Sequence, residues 1–393
     1  MKIFGKTTVS EFLGDFIVYR NLMPLDPRLP GLDALRGHVG LPAGRLPRKS
    51  EADYARVIVH LLQHARALDA PDTSIERLIY VGDTRLNDGN AFANLCQAGG
   101  WPGIAFIGHE SEQPAHVEIT AVDSASSPQA APVGHDPENT PTLYLANRWS
   151  ALADLDHFCA DRGFPIDAQT AIVVDLDKTA LGARGRNAHV IDQVRVLAVR
   201  HTVADLLGDA FDESAFRDAY AQLNQSEFHP FTTDNQDYLA YICLILGSGL
   251  YDLEEIVRDV RAGRLTHLTQ FIAQVEERAD AMPPALSSVH GEIYANVRAG
   301  DPTPFKSFRL NEYRATVNHM GQLGNDASAE ELLAQEIVIT QEVRAQALEW
   351  RARGALLFGL SDKPDEASVP GDALAAQGYA AIHRTETHAL GQA

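Results

Sequence analysis

The chain has 393 residues, 45% of them hydrophobic and 22% charged, the balance of an ordinary soluble globular protein with room for two or three compact units. Its 53 Asp and Glu against 33 Lys and Arg give a formal net charge of −20, which argues against nucleic acid or an anionic membrane as the main partner. Three scattered cysteines without a CxxC pair suit a reducing compartment. The opening MKIFGKTTVSEFLGDF lacks the apolar core of a signal peptide, so the cytoplasm is the expected location.

In chain order, DFIVYR (residues 15–20) reads as a short strand. SEADYARVIVHLLQHARAL (residues 50–68) places apolar side chains at the helical period behind Ser50, and Pro71-Asp72 ends it. RLIYVGD (residues 77–83) reads as a buried strand, with a helix beginning near Asn90 and a second strand at GIAFIG (residues 103–108). Strand, helix, strand at this spacing predicts a parallel α/β sheet. Residues 121–142, rich in Ser, Pro and Ala, have no apolar face and read as a flexible linker. A helix over residues 147–163 and a strand opening at Ala171 follow.

Residues 191–352 carry an almost wholly helical signal. Within them YLAYICLILGSGLY (residues 238–251) is too short and too glycine-broken to span a bilayer and predicts a buried helix. YDLEEIVRDVRAGRLTHLTQFIAQVEERA (residues 251–279) is the clearest amphipathic stretch. GALLFGLSD (residues 354–362) returns to strand, and GYAAIHRT (residues 378–385) predicts one more. The expected organisation is a core formed by residues 1–120, 143–190 and 353–393, interrupted by a helical insertion over 191–352.

The informative stretch is TAIVVDLDKTALGARGRN (residues 170–187). An apolar run ends in Asp175 and Asp177, which point to the same side if the chain stays extended. Open α/β sheets bind ligands beyond the carboxyl ends of their strands. IYVGDTRLND ends its apolar run similarly, at Gly82, with Asp83 and Asp88 in the following loop. If the two strands are neighbours, four carboxylates converge on one crevice and require a hard cation such as Mg²⁺ to offset their repulsion.

VVDLDKT resembles the first motif of the haloacid dehalogenase superfamily, an apolar strand followed by DxDxT, and YVGDTRLND resembles the fourth, a strand followed by GD and a further acid. LLFGLS is similar to the second motif, ending in Ser361, and LPRKSEADYARVIVHLL to the third, with Lys49 at the start of a helix. The motifs run third, fourth, first, second, an order that a circular permutation through the linker explains. Lys363 substitutes for Lys49 if that reading of the order is wrong.

The resemblance implies a permuted, Rossmann-like parallel-sheet core with a large helical cap. It also implies an Mg²⁺-dependent phosphohydrolase acting on a small organic phosphate monoester. Asp175 would be the nucleophile, Asp177 the general acid and base, and Thr179 a loop residue orienting Asp177. Ser361 and Lys49 would hold phosphate oxygens. The metal would be held by Asp175, the backbone carbonyl of Asp177, and Asp83 or Asp88, with Asn87 in place of Asp88 if the loop winds differently. Alternatives are a phosphotransferase or phosphomutase on the same fold, or a non-catalytic scaffold. The oligomeric state is left open.

Each residue also has a plainer reading. Asp88 or Asn87 would cap a helix, Ser361 would cap the helix after it, and Lys49 would be a solvated lysine. Arg184 and Arg186, in the position of the family's mobile flap, would be flexible surface arginines, and Lys306, Arg309 and Arg314 a solvated helix face. The histidines show no HxxxH or HExxH spacing and are assigned to no metal.

Overall fold

The computed structural model describes residues 1–122 and 140–392. Most of the expected linker over 121–142 therefore lies outside the described residues. The chain divides into two compact units, one formed by Met1–Asp192 with Val317–Ala393 and the other by Gln193–Thr316. Residues 317–352, expected within the helical insertion, belong instead to the first unit.

That first unit is α/β. Its strands are β1 (Lys2–Thr7), β2 (Ile17–Val18), β3 (Arg77–Gly82), β4 (Gly103–Gly108), β5 (Val117–Ala121), β6 (Thr142–Ala146), β7 (Thr170–Asp175), β8 (Ile339–Thr340), β9 (Leu356–Leu360) and β10 (Thr387–Gly391). A seven-stranded sheet runs in the order β2-β9-β7-β3-β4-β6-β5, parallel throughout except for β5, which pairs antiparallel with β6. Every residue of β4, β7 and β9 is buried, the signature of central parallel strands covered on both faces. Helix Ala52–Asp69 lays Tyr54, Val57, Ile58, Leu61, Leu62 and Ala65 against this sheet.

A second sheet has the order β1-β10-β8, with Lys2 opposite Gly391. The sequence pattern misplaced its C-terminal strand. GYAAIHRT forms a helical turn at Ile382–Arg384, whose Ile382 N–H bonds to the Ser368 carbonyl, and the strand begins only at Thr387. DFIVYR contributes two strand residues, Ile17 and Val18, on the sheet edge.

The second unit is helical. Helix Gln236–Gly247 buries Leu239 to Ile245 without interruption, as expected of its apolar composition. The long amphipathic stretch is two helices, Leu253–Arg261 and Leu268–Glu276. Gly263, in the left-handed region at φ 69°, separates them. Arg309 is no part of a solvated face: it is buried, paired with Asp237 and, at 2.6 Å, with Glu312. Among the described residues no helix is long and apolar enough to cross a membrane.

Candidate functional site: a buried carboxylate cluster

β7 lies between β3 and β9, so the loops that leave all three strands emerge at one rim of the sheet. Val81 is paired with Val174, and Asp175 with Leu360, so Asp83, Asp175 and Ser361 each stand at the carboxyl end of adjacent parallel strands. Lys49 arrives from the turn before helix Ala52–Asp69. Its Nζ sits 2.5 Å from Asp175 Oδ1 and 2.7 Å from Asp88 Oδ1, and all three side chains are buried. Lys49 is thus the lysine at the cluster. Lys363 offers its backbone N–H to the Ser361 hydroxyl at 3.1 Å, and Ser361 is buried beside it.

The loop after β3 explains its own sequence. Asp88 folds back over the strand end, where Oδ2 accepts from the Asp83 and Thr84 amides and from the Thr84 hydroxyl, and Oδ1 accepts from Lys49 and from the Tyr80 hydroxyl at 3.0 Å. A Cβ on Gly82 would lie 2.7 Å from the Asp88 carboxyl carbon, so only glycine leaves space for this return. Asp88 therefore does not cap its helix, whose first residue is the exposed Asn87. The amides it satisfies precede the helix.

Asp83 is paired with Arg184 through Nε and Oδ2. The Arg186 side chain is buried and bonds Glu342 through both terminal nitrogens at 2.9 Å, and Glu110 at 2.9 Å. Arg186 is therefore not the surface group its position suggested, whereas Arg184 keeps part of its side chain in solvent. Long-range ion partners leave no local trace in a sequence. Gly185, at φ 78°, has no space for a Cβ because the Glu110 carbonyl abuts it.

Asp83, Asp88 and Asp175 each present one oxygen within 4.8 Å of the others, a spacing that can hold a metal ion. Burial raises the Asp175 carboxyl well above its ordinary pKa. Lys49 opposes that rise, and the neighbouring Asp88 and Asp83 charges add to it. Burial followed by the Asp88 charge lifts Asp83 to about 7 against the pull of Arg184. Burial works against the Lys49 charge, but Asp175 and Asp88 more than restore it. Burial also resists ionisation of Asp88, yet Lys49 and the Thr84 donors keep it ionised well below the usual range.

Three carboxylates thus face two cations in a low-dielectric site, and the group is short of positive charge. Among the described residues nothing bonds to Asp175 Oδ2. An all-oxygen, electron-rich donor set with Asp175 Oδ2 and Asp83 Oδ1 unclaimed fits a hard divalent cation. Asp88 has both oxygens engaged by donors already, which makes Asp175 and Asp83 the more available ligands.

Asp177 is half-buried just past β7, and its carboxylate stands outside the group of three. Thr179 departs from expectation: among the described residues its fully buried hydroxyl makes no hydrogen bond, and its carbonyl instead accepts from the Thr340 hydroxyl at 2.5 Å. Tyr80, Thr84 and Gly82 went unremarked as site residues. Residues two apart in a strand share a face, which sets Tyr80 beside Gly82, over which Asp88 returns; that return leaves no local signal in the sequence. No protein-family model, curated protein or solved structure matches the chain.

Proposed function

We propose that the chain is a metal-dependent phosphohydrolase of the haloacid dehalogenase type, with permuted motif order, acting on a small organic phosphate monoester through an aspartyl-phosphate at Asp175. The observation that carries this reading is the placement of Asp175: buried at the end of a central strand, bonded to Lys49 through one oxygen and within 4.8 Å of Asp83 and Asp88.

In this reading Asp175 Oδ2 attacks phosphorus and displaces the alcohol, a covalent route open to carboxylates. Asp177 gives the leaving oxygen its proton and later takes one from the water that hydrolyses the acyl phosphate. Lys49 opposes the burial that disfavours the Asp175 carboxylate and offers its remaining proton to a phosphoryl oxygen, where Ser361 is a second donor. Asp88 keeps the Asp83 loop in place. Asp175, Asp83 and the Asp177 carbonyl would hold a divalent cation such as Mg²⁺, which would supply the positive charge that lets an anionic ester approach an anionic nucleophile. The burial of Asp175 favours a small ester that can penetrate to it.

The test is a screen of sugar phosphates, nucleotides and phospho-acids with and without Mg²⁺, against Asp175→Asn. Hydrolysis that needs both Mg²⁺ and Asp175 supports the reading. Normal Mg²⁺ binding with no turnover on any ester removes it. Turnover only with an added hydroxyl acceptor assigns a phosphotransferase instead.

A further inference from the structure

The side chain of Arg184 has no part in the mechanism just described, yet it meets the cluster directly. Its Nε donates to Asp83 Oδ2, while about two-fifths of the side chain remains open to solvent. Its backbone, by contrast, is fixed. The Arg184 amide bonds the Lys178 carbonyl at 2.8 Å, and its own carbonyl accepts from the Glu110 amide at 2.8 Å and from the Trp149 indole at 3.1 Å. The following Gly185 permits the close approach to Glu110 that sets this geometry. Arg184 is therefore a solvent-reaching guanidinium on a rigid mount, aimed at a carboxylate that a cation would claim. Lys49, the other cation, is buried and committed to two acids.

We propose that Arg184 is a substrate-phosphate clamp: it neutralises Asp83 while the site lacks a divalent cation, and turns to the phosphoryl oxygens when that cation takes Asp83. This rests on the phosphohydrolase reading. Its physical basis is that one carboxylate gains little from a guanidinium once a divalent ion lies against it. A released, planar fork of N–H donors matches phosphate better than any other side chain. The free arginine also restores the charge balance that an incoming dianion disturbs.

The clamp makes metal and anion affinity move in opposite directions in one variant, which a merely structural arginine does not. Titration calorimetry on the full chain would measure Mg²⁺ alone, then orthovanadate at saturating Mg²⁺. Arg184→Gln keeps all three backbone hydrogen bonds. It is expected to bind Mg²⁺ as well as wild type or a few-fold more tightly, since the guanidinium no longer competes for Asp83. It should bind orthovanadate about 10-fold or more weakly, the loss of charge-assisted hydrogen bonds. Arg184→Lys should restore part of the vanadate affinity, and it serves as the reading if the glutamine variant does not fold. Unchanged vanadate affinity, or weaker Mg²⁺ binding, in the variant overturns the clamp alone when wild type binds both ligands. Wild type that binds neither Mg²⁺ nor vanadate overturns the phosphohydrolase reading, and the clamp with it.

Discussion

Lys49 Nζ lies 2.5 Å from Asp175 Oδ1 across 126 positions of sequence, and the same ammonium bonds Asp88. One buried cation thus holds together the ends of two adjacent strands. Replacing it, as in Lys49→Met, strands two carboxylates in the interior. Breaking a buried pair from one side costs about 3–5 kcal/mol. A large drop in Tm without Mg²⁺, partly recovered on adding Mg²⁺, is the expected result in a thermal melt. A melt like that of wild type would mean the acids find another counter-charge.

Asp175→Asn should separate stability from function. The carboxyl's pKa is raised in the fold, chiefly by burial, so its charged form is costly at neutral pH and a neutral isostere relieves that cost. Without metal the variant is expected to melt higher, by roughly 2–4 °C for each 1 kcal/mol gained, while turnover of any ester falls by at least about 10³-fold. A lower Tm would show that the ion pair with Lys49 outweighs the crowding of acids.

Gly82→Ala places a methyl group 2.7 Å from the Asp88 carboxyl carbon. Asp88 must move, releasing the Asp83 and Thr84 amides it now satisfies, at about 1–3 kcal/mol for each buried donor left unpaired. Mg²⁺ affinity measured by calorimetry should weaken with Tm. An alanine variant that binds Mg²⁺ normally would count against Asp83 as a ligand.

The acid limb of stability should depend on His383. Burial lowers its pKa from 6.5 to about 4, with Asp15, 3.3 Å away, pulling the other way and Arg384 adding to the depression. Between those two values the unfolded chain holds the proton and the folded chain does not, so stability falls as pH drops from 6.5 towards 4. The full loss is about 3 kcal/mol below that window. Denaturant melts across this range should show a shallower decline for His383→Gln than for wild type. Parallel curves would assign the acid limb to other groups.

The parts of the site written into contiguous residues were readable in advance. β3, β4, β7 and β9 are continuous apolar runs, as central parallel strands must be. Acids placed just after such runs had to meet at the rim once β3 and β7 proved neighbours. What escaped notice depends on distant partners. Arg184 and Arg186 look like any loop arginines until Asp83, Glu110 and Glu342 are brought to them. β5 and β6, flanking the linker, are short strands at one side of the sheet, where the pairing of β6 with β4 and with the edge strand β5 supplies the order their composition does not. β1 and β10 find their partners at opposite ends of the described chain. The break at Gly263 was hidden because both flanking segments share an amphipathic period.

The segment beyond Asp175 is stitched to the C-terminal third of the chain at several points. Gly182 and Thr340 amides bond the Val338 and Ala180 carbonyls, and the Asn187 carboxamide reaches the Leu333 and Glu336 carbonyls and the Val338 amide. With Arg186 clasped by Glu342 as well, this segment is anchored along its length. Its amides should be among the slowest to exchange with deuterium, and under the proposed function any adjustment to an arriving ester would fall to side-chain rotamers above that floor.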